Sequence, residues 1–179
     1  MTLVMPAYNE ATRIEPALDE LFGYLARRDQ RGRDGSPGAA ALPETIDVLI
    51  VDDGSTDETV AKVEARPEAS GSIPGIGLRV LRVPHGGKGS AVRAGMLAAT
   101  GDIVIFADAD MATPPDQIPL LATALTENDV ALGSRIQPDG SDMRATQPGY
   151  RRLLGKLFHL LASVRSPSTK ESSTVNWTV

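Results

Sequence analysis

The sequence has no cysteine and no apolar run that approaches the length of a membrane span. Without cysteine the chain has no disulfide, no thiolate metal site and no cysteine nucleophile, which fits a reducing compartment. A spanning helix needs about 20 mostly apolar residues. Pro6 and the polar pair Asn9-Glu10 interrupt the first apolar segment too early for a signal peptide. We therefore expect a cytoplasmic protein without a spanning segment.

The net charge of −5 over 179 residues is unevenly distributed. Residues 1–140 carry a net charge of −9, whereas residues 141–165 carry +4. General nucleic-acid binding needs a broad positive surface, so an acidic body argues against nucleic acid as a partner. The basic segment is compatible with local binding of a phosphate group or an anionic membrane surface.

Strand-like apolar segments alternate with segments of helical periodicity. Strands are predicted at 3–5, 48–51, 78–83, 103–107 and 130–132. The first two helices are predicted to open at the capping boxes Thr12-x-x-Glu15 and Ser55-x-x-Glu58, and the next two to span 89–100 and 115–126. This alternation predicts an α/β fold with a Rossmann-like, mostly parallel sheet flanked by helices. Ligands of such sheets bind beyond the carboxyl ends of the strands.

Each of the first four predicted strands is followed by a polar or glycine-rich segment. The segments are Pro6-Ala7-Tyr8-Asn9-Glu10, Asp52-Asp53-Gly54-Ser55-Thr56-Asp57, His85-Gly86-Gly87-Lys88-Gly89-Ser90 and Asp108-Ala109-Asp110. Because the carboxyl ends of parallel strands meet at one edge of the sheet, carboxylates, glycines and a lysine converge there. This co-occurrence at four strand ends favours a ligand site.

Two carboxylates two residues apart, at Asp108 and Asp110, point to the same side of an extended chain. Such oxygen ligands suit Mg²⁺ or Mn²⁺ bound together with substrate phosphates. Taken alone, this spacing fits a solvated acidic turn equally well. Gly86 and Gly87 precede a helix N-terminus, whose N–H groups favour anions. Lys88 is either a point charge for phosphate or a solvated charge.

Two further residues have simpler alternatives. The Asp53 carboxylate can accept hydrogen bonds from a base or from ribose hydroxyls, but Asp52-Asp53-Gly54 also fits a turn with an N-cap. His85 is interpreted as a loop residue rather than a catalyst.

In this order, the motifs Pro6-Ala7-Tyr8-Asn9-Glu10, Val51-Asp52-Asp53-Gly54-Ser55-Thr56-Asp57 and Asp108-Ala109-Asp110 resemble the family 2 glycosyltransferases, which have the GT-A fold. Gly87-Lys88-Gly89-Ser90-Ala91-Val92-Arg93-Ala94-Gly95, followed by Asp108-Ala109-Asp110-Met111-Ala112-Thr113, is most similar to dolichyl-phosphate β-glucosyltransferases and bacterial polyprenyl-phosphate relatives. Gly133-Ser134-Arg135 and a basic segment near Arg151-Arg152 continue a resemblance that covers about residues 2–164.

The resemblance implies a metal-dependent, inverting transfer of a sugar to a polyprenyl or dolichyl phosphate. The implied donor is UDP-glucose, with GDP-mannose as the alternative. Asp110 and Arg135 would be the catalytic residues, and Asp108 and Asp110 would hold Mg²⁺ or Mn²⁺. Arg135, Arg151 and Arg152 would contact phosphate groups of the donor or the acceptor. The residues implied to hold the nucleotide sugar are Pro6, Ala7, Tyr8, Glu10, Val51, Asp53, Lys88, Asp108, Ala109 and Asp110.

The chemistry of these side chains fits such a transfer. A metal that bridges a diphosphate stabilises the charge of the leaving group. A lipid phosphate is already ionised at neutral pH, so its oxygen needs no strong general base. Mannosyl relatives often have a glutamine metal ligand where this sequence has Ala112, which argues against mannose.

The segment 150–164 is predicted to be an amphipathic helix. Its leucines form one face, while Arg152, Lys156 and His159 lie on the other. Such a helix fits peripheral contact with the cytoplasmic face of a membrane, and it fits ordinary packing on the sheet equally well.

The sequence after Val164 lacks the acceptor-side stretch of these relatives. We therefore expect a GT-A domain at 1–164, with a complete nucleotide-sugar half and an incomplete acceptor half, followed by a disordered tail at 165–179. A second hypothesis from another functional class follows, namely a truncated module that binds nucleotide sugar without turnover.

Overall fold

The computed structural model describes residues 1–27, 42–111, 113–134 and 174–176. The chain divides into two compact units, Met1–Thr123 and Ala124–Val179. The domain bounds of 1–164 stay a prediction. Among the described residues, no helix has both the length and the apolar character that crossing a bilayer requires.

The first unit alternates strands and helices as the sequence predicts. Its strands are β1 (Thr2–Ala7), β2 (Ile46–Asp52), β3 (Ile76–Arg82) and β4 (Val104–Phe106). Its helices are α1 (Ile14–Ala26), α2 (Thr59–Glu64), α3 (Lys88–Ala98) and α4 (Ile118–Ala124), the last of which reaches one residue into the second unit. Short 3₁₀ helices occupy Pro67–Ser70 and Pro115–Gln117. The bounds of the four strands lie within two residues of the predicted bounds.

The four strands form one sheet in the order β3-β2-β1-β4, and every neighbouring pair is parallel. β1 lies inside the sheet, where Thr2 pairs with Asp47 on one side and with Val104 on the other. The continuous apolar run of β2 is typical of a strand that is buried on both faces. The predicted parallel, Rossmann-like sheet is therefore confirmed.

Alternate residues of the central strands belong to two different apolar clusters. Leu3, Met5 and Ile50 share a large cluster with the apolar face of α1. Val4 and Val51 belong to a smaller cluster that includes Ala91 of α3. Because successive side chains of a strand point to opposite faces, the sheet is covered by helices on both sides.

The approach of α3 to the sheet depends on Gly95. A Cβ atom at this position would lie 2.4 Å from Val4 Cγ1 and 2.7 Å from Val51 Cγ2. Both distances are shorter than van der Waals contact, so no larger side chain fits without movement of the helix or the strands. Gly95 therefore sets the distance between α3 and the sheet.

The capping box predicted at Thr12-x-x-Glu15 is wrong. α1 begins at Ile14 with Arg13 at the N-cap position, and this cap makes no side-chain hydrogen bond. The Glu10 carbonyl instead accepts from the N–H groups of Arg13 and Ile14, at 2.8 and 2.9 Å. The Glu10 carbonyl, in a backbone turn, therefore satisfies N–H groups at the start of the helix, where the sequence predicts a cap by the Thr12 side chain.

The second predicted capping box, Ser55-x-x-Glu58, is also wrong. α2 begins four residues later, at Thr59, and its N-cap residue Glu58 makes no side-chain cap. The Ser55 hydroxyl accepts a hydrogen bond from the Asn9 N–H at 2.9 Å. A contact between two strand-end loops thus takes the place of the local cap.

The second unit is described only at 124–134 and 174–176. β5 (Leu132–Ser134) pairs in parallel with β6 (Thr174–Asn176). The three residues of β6 fall within the tail predicted for 165–179, and the remainder of that tail lies outside the described residues. The predicted helix at 150–164 lies outside the described residues.

Replacing Gly95 by Ala should lower the free energy of unfolding by about 1–3 kcal/mol, because the added methyl group overpacks the contact between α3 and the sheet. Gly89→Ala is the matched control, since it adds the same methyl group in the same helix at a site with nothing within 4 Å. The control should be neutral or gain roughly 0.5–1 kcal/mol. Urea unfolding of both variants measures the difference, and equal stabilities would show that Gly95 does not set the packing.

Candidate functional site

A cleft of about 250 Å³ lies where the segments after the strands come together. Nine of the ten residues predicted to hold the nucleotide sugar line it. The lining residues are Pro6, Ala7, Tyr8, Glu10, Asp53, His85, Gly87, Lys88, Ala91, Asp108, Ala109 and Asp110. The carboxyl ends of the parallel strands thus gather residues that are up to 104 positions apart in the chain.

The loops after β1 and β2 are joined by hydrogen bonds of Asn9. Its N–H donates to the Ser55 hydroxyl at 2.9 Å, and its side-chain oxygen accepts from the Thr56 N–H at 2.9 Å. Asn9 has a positive φ of 54°, a conformation that asparagine adopts more readily than most residues. This polar residue therefore positions the neighbouring Tyr8 and Glu10 rather than facing the cleft itself.

Asp57 and Thr59 extend this connection. The Asp57 Oδ2 atom accepts from the Ala11 N–H at 3.1 Å, and the Thr59 hydroxyl accepts from the Glu10 N–H at 2.8 Å. Hydrogen bonds from the Thr59 hydroxyl, and then from its N–H, hold the pKa of Asp57 below its ordinary value, because they favour the ionised carboxylate. The two loops are thereby fixed to each other before any ligand binds.

The loop after β3 is held by the Asp53 carboxylate. The Gly86 N–H donates to Oδ1 at 2.8 Å, and the Gly87 N–H donates to Oδ2 at 2.9 Å. The side chain of Asp53 is only 3% exposed. The sequence predicts that these glycines free the backbone before a helix N-terminus that favours anions. The N–H groups of Gly86 and Gly87 themselves bind the chain's own carboxylate.

His85 completes the attachment of this loop. Its Nδ1 atom lies 2.9 Å from Asp53 Oδ2 and 3.0 Å from the Asp53 carbonyl oxygen. Both partners are acceptors, so Nδ1 carries the hydrogen and donates. Gly54, with a φ of 75°, lies directly against this residue, since a Cβ there would be 3.1 Å from the His85 nitrogen. The glycine is needed for the close approach of the two loops.

His85 also stacks on Tyr8. Their ring centroids are 4.3 Å apart and the rings are inclined by 25°. The sequence alone favours a loop role for His85 and does not indicate that it lines the cleft. Its position directly before the Gly86-Gly87 pair was the available signal. The two rings together present an aromatic edge to the cleft.

The acidic pair lies in a turn that follows β4. The Asp108 carbonyl accepts from the Met111 N–H at 3.1 Å, and the intervening Ala109 is buried. Asp108 and Asp110 both line the cleft. Asp108 Oδ1 lies 2.6 Å from the Lys88 Nζ atom, so the acidic pair and the predicted phosphate-binding lysine occupy the same wall.

The carboxylates of Asp108 and Asp110 fit the metal that the resemblance implies. The described residues contain no group of three or more metal-binding side chains. Mg²⁺ keeps several waters and commonly uses one or two carboxylates together with substrate phosphates. Two carboxylates on the wall of an open cleft match this donor set, in which phosphate oxygens supply the remaining ligands.

One predicted site residue, Val51, is not among the residues that line the cleft, and three others lie outside the described residues. Val51 is fully buried in the small cluster with Val4 and Ala91, and its role at a base or ribose stays a prediction. Arg135, Arg151 and Arg152 lie outside the described residues, so their roles stay predictions.

Replacing Asp53 by Ala should lower the free energy of unfolding by about 1.5–3 kcal/mol and accelerate amide exchange at Gly86 and Gly87, because both N–H groups lose a charged acceptor. Urea unfolding and native-state hydrogen exchange measure the two effects. Asp102→Ala, at an exposed acidic residue outside the cleft lining, is the control. Unchanged exchange at both glycines would show that Asp53 does not hold the loop.

The sequence is similar over most of its length to enzymes that act on lipid phosphates. It is 35% identical over 171 residues to a dolichyl-phosphate beta-glucosyltransferase of Trichomonas vaginalis, covering 91% of this chain and 46% of that protein. The human dolichyl-phosphate beta-glucosyltransferase is 32% identical, covering 90% and 48%. The dolichol-phosphate mannosyltransferase of Saccharomyces cerevisiae is 30% identical, covering 90% and 54%. The chain therefore spans about half the length of these relatives.

Solved structures of glycosyltransferases share the fold. S. aureus TarS in complex with UDP-GlcNAc superposes with a TM-score of 0.51 at 25% identity, covering 79% of this chain and 36% of that chain. The mannosyltransferase PcManGT from Pyrobaculum calidifontis, in complex with GDP-Man and Mn²⁺, gives a TM-score of 0.52 at 25% identity, covering 76% and 35%. These likenesses confirm the predicted GT-A fold class.

The family model of glycosyl transferase family 2 matches residues 2–170. The match includes all four segments that form the cleft and nearly the whole chain. Together with the parallel sheet and the relatives above 30% identity, it establishes the family. The chain belongs to glycosyl transferase family 2.

Proposed function

We propose that this protein transfers a hexose from a nucleotide sugar to a dolichyl or polyprenyl phosphate, with inversion at the sugar carbon. The donor is UDP-glucose and the bound ion is Mg²⁺ or Mn²⁺. The observation that carries the proposal is the cleft itself, where an aromatic edge, two carboxylates and a lysine meet at the strand ends. These groups suit a base, a metal and a diphosphate, respectively.

The chain's own residues position the donor and balance its charge. Asp108 and Asp110 would hold the divalent ion, which would stabilise the negative charge of the departing diphosphate. Lys88 supplies a further positive charge beside them. The acceptor phosphate is ionised at neutral pH, so the reaction depends on alignment more than on proton abstraction. The described lining of the cleft is consistent with this, because its only histidine, His85, is hydrogen-bonded to Asp53.

The choice of glucose rests on the relatives and on one position. Three dolichyl-phosphate beta-glucosyltransferases are 32–36% identical to this chain, and the yeast mannosyltransferase is 30% identical. Ala112 stands where mannosyl relatives often have a metal-binding glutamine. Transfer of mannose from GDP-mannose is the alternative donor assignment. The same cleft would serve both donors, since each is a nucleoside diphosphate sugar.

The acceptor assignment extends to a location in the cell. Dolichyl and polyprenyl phosphates reside in membranes, so we propose that the protein works at the cytoplasmic face of one. The sequence of 150–164 supports this through its basic amphipathic pattern. Arg151 and Arg152 at its start would meet the acceptor phosphate.

The proposal has a rival that the same cleft supports. A module that binds nucleotide sugar without turnover would have the same residues at the strand ends. The chain spans about half the length of these relatives. Binding and transfer therefore have to be measured separately.

Asp110→Asn should weaken Mn²⁺-dependent binding of UDP-glucose roughly 10-fold or more, since loss of one charged ligand at about 1.4 kcal/mol corresponds to tenfold. Asp108→Asn should have a smaller effect, and both variants should unfold at the parent's urea midpoint. Calorimetry with and without Mn²⁺ measures the affinities, with Asp102→Asn as the control. Parent-like Mn²⁺-dependent binding by Asp110→Asn would refute the metal assignment.

Transfer is tested with radiolabelled UDP-glucose, Mn²⁺ and a short polyprenyl phosphate. The enzyme hypothesis predicts a labelled lipid product that depends on the acceptor phosphate, and at least tenfold less product from GDP-mannose. A full-length dolichyl-phosphate beta-glucosyltransferase run in parallel validates the assay. Tight donor binding without product would favour the binding module, and no binding of either donor would contradict both hypotheses.

A further inference from the structure

We propose that the Lys88 ammonium neutralises Asp108 in the absence of a metal ion, and that it leaves this carboxylate when a nucleotide diphosphate binds. Metal and nucleotide would then bind cooperatively, because each removes the obstacle to the other. The inference rests on the proposed function for the identity of the nucleotide. Its first part, competition between a lysine and a metal ion for Asp108, is independent of any substrate.

The starting geometry is an ion pair between two elements. Lys88 is the first residue of α3, and Asp108 follows β4. Their Nζ and Oδ1 atoms are 2.6 Å apart, a short charge-assisted contact. The Lys88 ammonium also lies 5.7 Å from the centroid of the Phe106 ring, within the range of a cation–π contact. The lysine is therefore held at the acidic pair from two sides.

This position conflicts with a bound metal ion. Mg²⁺ lies about 2.0–2.1 Å from its carboxylate oxygens. An ammonium at 2.6 Å from Oδ1 would then face a divalent cation at the same carboxylate. Like charges at such distances repel strongly, even with the screening found near a protein surface. Metal binding at Asp108 thus requires the lysine to leave or to share the carboxylate unfavourably.

The lysine is free to leave at little cost. Its side chain is 62% exposed and that of Asp108 is 36% exposed, and exposed ion pairs contribute little stability. The loop beneath it does not have to move, because Asp53 holds the N–H groups of Gly86 and Gly87. Movement is thus confined to a flexible four-carbon stem.

A bound diphosphate would provide the displaced lysine with a new partner. Lys88, Asp108 and Asp110 line one cleft, so a ligand whose phosphate oxygens approach the acidic pair also comes within reach of the ammonium. Phosphate would replace Asp108 as the partner of the lysine, and the vacated carboxylate oxygen would become available to the metal. By linkage, a nucleotide that raises metal affinity is itself bound more tightly when the metal is present, by the same factor.

Lys88→Met is the decisive variant, because it keeps the apolar stem beside Phe106 and removes the charge. Arg93→Met is the matched control, since it removes one positive charge from an exposed position of the same helix outside the cleft lining. Lys88→Arg keeps the charge at the site. Mn²⁺ binding to each protein without nucleotide is measured from the electron paramagnetic resonance signal of free Mn²⁺, and binding of UDP without metal is measured by calorimetry.

The expected result is a pair of opposite changes. Lys88→Met should bind Mn²⁺ about 3- to 10-fold more tightly than the parent, because the competing charge is gone. The same variant should bind metal-free UDP roughly 5- to 10-fold more weakly, because the phosphate loses its lysine. Arg93→Met should show neither change, and Lys88→Arg should keep the parent's weak Mn²⁺ binding.

Two outcomes would overturn the inference. One is unchanged or weaker Mn²⁺ binding by Lys88→Met, which includes the case of a disturbed site that binds both ligands poorly. The other is an equal gain in Arg93→Met, which would reflect net charge alone. Failure of the proposed function gives a different pattern, in which no protein binds UDP while Lys88→Met still gains affinity for Mn²⁺.

Discussion

The buried carboxylate of Asp53 is the contact on which the cleft depends. It lies at the end of β2 and accepts hydrogen bonds from the N–H groups of Gly86 and Gly87, which precede α3. This contact fixes the start of the helix that carries Lys88 and places His85 against Tyr8. Without it, the segments after β2 and β3 would keep the contact of His85 with the Asp53 carbonyl but lose both hydrogen bonds to Gly86 and Gly87.

The acidic residues of the cleft are thereby divided between two tasks. Asp53 is buried, and its oxygens are engaged by the protein, so its charge serves the fold. Asp108 is partly exposed and is paired with the exposed side chain of Lys88. A buried carboxylate with fixed donors is a rigid element, whereas an exposed ion pair exchanges partners easily. The site thus combines a rigid buried carboxylate, Asp53, with an exposed ion pair, Lys88–Asp108. An exposed ion pair can exchange its partners for a metal ion and phosphate groups.

Much of the fold was predictable because its signals are local. The apolar run of β2 and the alternation of strands with helices indicate a parallel sheet, and the sheet brings nine of the ten predicted nucleotide-sugar residues to one cleft. The failures share a cause. Ser55 fits a capping box locally but accepts from Asn9, 46 residues away, and the N–H groups of Gly86 and Gly87 bind Asp53, which precedes them by 33 and 34 residues. Competing partners from distant loops are invisible in a local pattern.

The sequence by itself determined the family, the types of residue at each strand end, and the succession of strands and helices along the first unit of the chain. Periodicity and motif spacing are properties of neighbouring residues. The tertiary structure alone decided which carboxylate holds a loop and which faces a ligand. Asp53 and Asp108 are chemically identical, and each follows an apolar strand. Burial and the donors brought near by folding separate them, since the Asp53 carboxylate is enclosed with its N–H donors, whereas the Asp108 carboxylate pairs with an exposed ammonium and stays accessible to a ligand.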